Sequence, residues 1–426
     1  GFSALTQDWF SAAFERPTSA QAGAWASIKA HRHTLVVAPT GSGKTLAAFL
    51  AALDTLANEP PPREKRHRCR VLYVSPLKAL AADVERNLRS PLVGLQREAQ
   101  RAGRPTPEVT VAIRTGDTPT DERRRQANNP PDILITTPES LFLLLTSQAR
   151  ESLRGVDTVI IDEIHAVAGT KRGTHLAVSL ERLDALLPKR AQRIGLSATV
   201  DPVEEVALFL GGSQPVEIVN PASQKEIDVN VVVPVDDLAA PSPTPPTDPH
   251  SEILGGAQPD QYSIWPHVEN RIVDLIQTHT STLVFANSRR LAERLTARIN
   301  EIAYERQGLE QVRSSAPAQV MAQAGSSAGA PAAIARAHHG SVSKEQRALI
   351  EDDLKAGRIP AVVATSSLEL GIDMGAIDLV VQVEAPPTVA SALQRVGRAG
   401  HQVGEVSRAA IFPKHRGDLL ACAVVA

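Results

Sequence analysis

The chain has 426 residues, 42% hydrophobic and 22% charged, enough for two domains of roughly 150 to 200 residues that each bury a core. A net charge of −2 excludes a global basic field, so any nucleic-acid contact must come from local patches, and 3% aromatic content excludes a surface that stacks many consecutive bases. No apolar run reaches the roughly 18 residues of a membrane span, no basic region with an apolar core opens the chain, and Cys69 and Cys422 are too few for a disulfide framework or a zinc site. The expected location is a reducing compartment inside the cell.

In chain order, Pro17 marks a helix start, and Thr34 to Val37 reads as a strand. The strand runs into Ala38-Pro39-Thr40-Gly41-Ser42-Gly43-Lys44-Thr45 and then a helical pattern, Leu46 to Leu56. This is the setting of a phosphate-binding loop. Gly41 and Gly43 let backbone N–H groups converge on phosphate oxygens, Lys44 neutralises β/γ-phosphate charge, and the Thr45 hydroxyl holds Mg²⁺. Ala38 replaces the first Gly of the strict pattern, which matters little because Gly41 and Gly43 supply the turn.

Strands follow at Val71 to Ser75, Ile133 to Thr136 and Val156 to Ile161; the last ends in Asp162-Glu163-Ile164-His165. Carboxylates emerging at the carboxyl end of a buried parallel strand lie where open α/β sheets bind ligands. Asp162 is expected to hold Mg²⁺ through its water shell and Glu163 to orient and deprotonate the attacking water. Ile194 to Ser197 is the next strand, placing Ser197-Ala198-Thr199 at a sheet edge near Asp162.

The second half repeats the plan without the Gly-Lys-Thr. Thr282-Leu283-Val284-Phe285-Ala286-Asn287-Ser288 echoes residues 34 to 40, and strands recur at Ala361 to Thr365 and Leu379 to Val383. The fold expected is α/β: two tandem doubly wound parallel-sheet domains. A proline-rich connector, Ala239 to Pro259, and a low-complexity insert, Gln311 to Ala333, interrupt the second half. The division is 1–225 for the first domain, 226–415 for the second, and 416–426 for the start of a following one. Arg395 and Arg398, three apart, are predicted on one side of a helix, facing a γ-phosphate across an interdomain cleft. Such charges contribute roughly 10³ to 10⁵ to the rate in phosphoryl transfer.

The ordered series resembles superfamily 2 helicases with two RecA-like domains, and within them the large helicase-related (Lhr) family. Its strings are Ser75-Pro76-Leu77-Lys78-Ala79-Leu80, Arg114-Thr115-Gly116-Asp117, Thr137-Pro138-Glu139-Ser140-Leu141, Asp162-Glu163-Ile164-His165-Ala166, and the run from Thr365 through Gly371, Ile372 and Asp373 to Met374. Gln394-Arg395-Val396-Gly397-Arg398-Ala399-Gly400-His401 completes them. The resemblance implies an ATP- and Mg²⁺-dependent DNA translocase moving 3′-to-5′ on single-stranded DNA, unwinding duplexes or RNA:DNA hybrids that carry a single-stranded tail, in DNA repair and associated with the nucleoid. An RNA helicase or RNA-protein remodeller of the same superfamily is the alternative.

The same resemblance distributes roles. Gln21, in Arg16-Pro17-Thr18-Ser19-Ala20-Gln21, would read the adenine edge; Gln394 would join Arg395 and Arg398 at the reacting phosphate; Gly371 and Asp373 would meet the ribose or the interdomain face. Lys78, Thr115, Thr137, Asn287, Ser288 and Thr365 would hold the strand, and His165, Ser197 and Thr199 would couple hydrolysis to that grip. Family members continue past the motor into a winged-helix domain, whereas this chain stops at Ala426, so the expectation is a motor core without accessory domains.

Overall fold

The computed structural model describes residues 1–39, 41–221, 226–236, 263–307, 333–370, 374–400 and 405–426. These form two compact units, one from the residues before 225 and one from those after. The first unit holds β1 (His33–Val37), β2 (Val71–Val74), β3 (Val111–Arg114), β4 (Ile133–Thr136), β5 (Thr158–Ile161), β6 (Gln192–Ser197) and β7 (Val216–Val219). They form one parallel sheet, ordered β3-β4-β2-β5-β6-β1-β7.

Strands such as Val-Leu-Tyr-Val and Ile-Leu-Ile-Thr are apolar at nearly every position because both faces of this sheet are covered. Alternation then sorts side chains between two cores. Val36, Val71, Tyr73, Ile133, Ile135 and Ile160 pack with Phe49 and Leu53 of helix Lys44–Asn58 on one side. Leu35, Leu72, Val74, Leu134, Val159 and Ile161 pack on the other with Leu141 of helix Pro138–Leu145 and Leu176 of helix Lys171–Leu186.

The second unit holds β8 (Ile227–Val231), β9 (Thr282–Phe285), β10 (Ala335–His338), β11 (Ala361–Ala364), β12 (Leu379–Val383) and β13 (Ser407–Phe412). These six are parallel, ordered β10-β11-β9-β12-β13-β8. Helix Arg416–Val425 packs against β13 and β8, and Asp418 accepts hydrogen bonds from the Ala385 and Lys414 N–H groups at 3.0 and 2.8 Å. The doubly wound expectation holds in both units.

Five strands went unread in the sequence, β3, β7, β8, β10 and β13. The proline-rich segment 239–259 and all but the last residue of 311–333 lie outside the described residues, as do Thr40, Gly371 and Asp373. Both cysteines are free and buried, and burial pushes the Cys69 thiol up to about 12. Among the described residues no helix is long and apolar enough to cross a membrane.

Candidate nucleotide and nucleic-acid site

After β1 the chain turns through Gly41 (φ 83°) and Gly43 (φ 77°) into helix Lys44–Asn58. Both glycines sit in the left-handed region that a Cβ disfavours. Gly43 has a second constraint: a Cβ there would lie 2.4 Å from Gln21 Nε2. Gln21 is packed under the loop. It closes a capping box with Thr18 at the start of helix Ser19–Lys29, accepting from Thr18 N–H at 3.0 Å, while its Nε2 donates to the Gly43 carbonyl (3.4 Å) and Thr18 Oγ1 donates to that of Ser42 (3.0 Å). An amide offers two N–H groups and two lone pairs, so Gln21 keeps one of each for a base edge.

Lys44 Nζ donates to the Ser197 carbonyl at 3.3 Å, bridging the loop to β6, and Thr45 is half-buried beside it. β6 lies between β1 and β5. Ser197 therefore ends a strand flanked on both sides, with β1 and the Asp162-bearing β5 as neighbours. Asp162 and Glu163 follow β5, both buried, with Glu163 N–H donating to Asp162 Oδ1 at 2.9 Å. Glu163 adopts φ 44°, uncommon for a residue with a Cβ. Burial and then the Glu163 charge push the Asp162 carboxyl up to about 7, and Tyr73 and then Lys44 offset part of that rise. A buried carboxylate pair short of positive charge, with hard oxygen donors and a lysine at hand, fits Mg²⁺.

His165 opens helix His165–Ala168 and lies 3.6 Å from Glu163 Oε2. Its Nδ1 accepts from Ala198 N–H at 3.2 Å and meets Ser197 Oγ at 3.3 Å, so β5 and β6 are tied together at their ends. Thr199 is exposed just beyond.

The strand order divides this edge of the sheet. Asp162, Glu163, Ser197 and the loop crown β5, β6 and β1, whereas Thr115, Thr137 and Lys78 crown the adjoining β3, β4 and β2. Lys78 is exposed and pairs with Asp117 at 2.6 Å. Thr115 accepts from Asp117 N–H at 3.4 Å, and Thr137 Oγ1 donates to Ser140 Oγ at 3.1 Å. Arg172 was not singled out in the sequence. It braces two of these loops, donating to the Pro76 carbonyl at 2.5 Å and to Glu139 Oε2 at 2.8 Å.

In the second unit Asn287 and Ser288 follow β9 and Thr365 follows β11, on neighbouring strands. Ser288 caps helix Arg289–Arg306, and Thr365 opens the turn Ser366–Leu368. Arg395, 3% exposed, donates to Glu369 Oε2 at 3.0 and 3.2 Å, to Gln382 Oε1 at 2.8 Å and to Asn287 Oδ1 at 3.0 Å, and its guanidinium lies over the Phe285 ring. Arg398 is also buried and donates to the Glu369 carbonyl at 2.8 Å. Helix Val389–Val396 ends at Gly397, so Arg398 lies past the cap rather than on a shared helix face with Arg395. Glycine, poor in helices, sets that end. Gln394 is half-buried within the helix. Glu369 is the anchor that the sequence reading missed: one residue holds both arginines.

Residues 18–206 match the DEAD/DEAH box helicase family and residues 268–402 the helicase conserved C-terminal domain. The Lhr helicase/probable uracil glycosylase of Mycolicibacterium smegmatis is 63% identical over 99% of this chain and 27% of its own length. The chain belongs to the Lhr helicase family. The ATP-dependent helicase Lhr-Core of Methanothermobacter thermautotrophicus is 41% identical over 98% of this chain and 44% of its own length. Among solved structures, helicase Lhr of Mycobacterium smegmatis bound to ssDNA and AMP-PNP aligns with a TM-score of 0.84 at 61% identity, covering 100% of this chain and 49% of that one. The chain thus spans under half the length of these Lhr relatives.

Proposed function

We propose that this chain is the ATP-driven motor of a DNA helicase, a single-stranded-DNA-dependent ATPase. The observation that supports the reading is the grouping along one sheet edge: the Gly41 to Thr45 loop, Asp162, Glu163 and Ser197 lie over β5, β6 and β1, and Lys78 and the buried Thr115 and Thr137 lie over the contiguous β3, β4 and β2. The Lhr structure with ssDNA and AMP-PNP supports it from outside.

In this reading the Gly41 to Thr45 loop, with Thr40, cradles the phosphates and Gln21 reads adenine. Lys44 neutralises phosphate charge, and Glu163 orients the attacking water and takes its proton. Thr45 and Asp162 would hold Mg²⁺, which when bound neutralises charge on the β- and γ-oxygens. Gln394, Arg395 and Arg398 would complete the site in the closed state, and Gly371 and Asp373 would serve the ribose or the interdomain face. His165, Ser197 and Thr199 pass the state of the nucleotide to Lys78, Thr115 and Thr137, which share the strand with Asn287, Ser288 and Thr365 through mostly phosphate contacts.

The finer proposals are 3′-to-5′ movement, unwinding of duplexes and RNA:DNA hybrids, and a role in DNA repair at the nucleoid. With them goes a domain division at 225/226, helix Arg416–Val425 staying with the second unit on which it packs. Phosphate release measured with single-stranded DNA, with RNA of equal length and with neither tests the core of the reading. DNA should stimulate turnover most. Equal or stronger stimulation by RNA favours the RNA-helicase alternative, and no stimulation by either removes the motor reading.

A further inference from the structure

One fully buried polar atom has no place in the chemistry above. Tyr73 in β2 is 0% exposed, and its hydroxyl makes no hydrogen bond of ordinary geometry. A buried hydroxyl without a partner is costly, and phenylalanine would fill the same space without that cost. The strand register gives the hydroxyl a partner. Tyr73 pairs in register with Ile160 of β5, and alternation puts Asp162, two residues on, on the same face as Ile160. Tyr73 and Asp162 are thus diagonal cross-strand neighbours, within reach of an aromatic side chain. Phe49, on the helix that starts at Lys44, stacks on the Tyr73 ring with centroids 5.2 Å apart and planes 19° from parallel, which holds the plane of the ring.

The charges agree with the geometry. Of the carboxylates around the phenol, Asp162 acts on it most strongly, by its charge and then as a side-chain partner, ahead of Glu163 and Asp83. Asp83 has other donors, Arg86 at 3.5 Å and Asn87 at 3.3 Å.

We propose that Tyr73 is a positioning residue for Asp162: its hydroxyl donates to the Asp162 carboxylate once a metal–nucleotide complex is bound, fixing which oxygen faces the metal. This rests on the nucleotide site proposed above. A partner held behind a metal-ligating group orients it, and its loss typically lowers metal affinity by about 10- to 100-fold.

The test is Tyr73→Phe, which removes one oxygen and keeps the stack. AMP-PNP binding is measured by calorimetry with Mg²⁺, with Mn²⁺ and with a chelator, beside thermal unfolding. Metal-free affinity should match the wild type and the melting temperature should equal or exceed it, while the tightening that metal adds should shrink by about tenfold. In an Asp162→Asn background the same substitution should change nothing further. An undiminished metal effect in Tyr73→Phe, an equal loss in the Asp162→Asn background, or a lower melting temperature with metal-free binding lost as well would each overturn the proposal. Wild-type protein that shows no metal-dependent nucleotide binding removes the nucleotide site itself. Wild-type binding with an unaffected variant removes only the role of Tyr73.

Discussion

Arg395 is a cation enclosed by its own unit: a carboxylate, two amide oxygens and an aromatic face surround it. Removing it leaves the largely buried Glu369 carboxylate unpaired, so Arg395→Ala should cost about 3 kcal/mol of stability as well as turnover, read by denaturant unfolding. A variant as stable as wild type would show that the Glu369 pair contributes little. Lys44→Ala and Glu163→Gln should separate binding from chemistry: the first weakens ATP binding, the second leaves ATP bound but unhydrolysed. Near-normal steady-state turnover in Glu163→Gln would remove it from the water-activating role. Lys44, Asp162 and Glu163 were legible because each stands in a short string directly after an apolar strand. Glu369 was not, because it is 26 residues from Arg395 and only the fold joins them.

At the scale of the element, the phosphate loop depends on a turn and on what lies beneath it. Gly43→Ala would place a Cβ at φ 77° and against Gln21, so about 1–2 kcal/mol of backbone strain and a disrupted loop should appear together as lost nucleotide affinity in a folded protein. Unchanged affinity would mean that the loop tolerates another path. The strands that were legible are central, buried on both faces and rich in Val, Ile and Leu. Those missed lack that signature: β3 is an edge strand with every residue half-buried, β8 alternates with Asp228 and Asn230, and β10 is Ala-Arg-Ala-His. The predicted helix through Arg395 and Arg398 failed for a local reason, the glycine between them that caps it at Val396.

For the whole molecule, the repeated half without Gly-Lys-Thr was legible as a second parallel-sheet unit, while nothing in the sequence disclosed how the strand order would group the loop, Asp162 and Glu163 over β5, β6 and β1 and Lys78, Thr115 and Thr137 over β3, β4 and β2. A near-neutral protein must hold a polyanion through a few local contacts, so DNA binding should weaken with salt along a shallow slope and depend little on base sequence. The central claim is that the two groups of residues on that edge are energetically coupled, and coupling between two ligands is reciprocal. Its most direct test is the affinity for a single-stranded DNA oligonucleotide measured with AMP-PNP, with ADP and without nucleotide. AMP-PNP and ADP should give different DNA affinities, and the DNA should shift AMP-PNP affinity by the same factor that AMP-PNP shifts its own. DNA affinity identical in all three conditions would contradict the account.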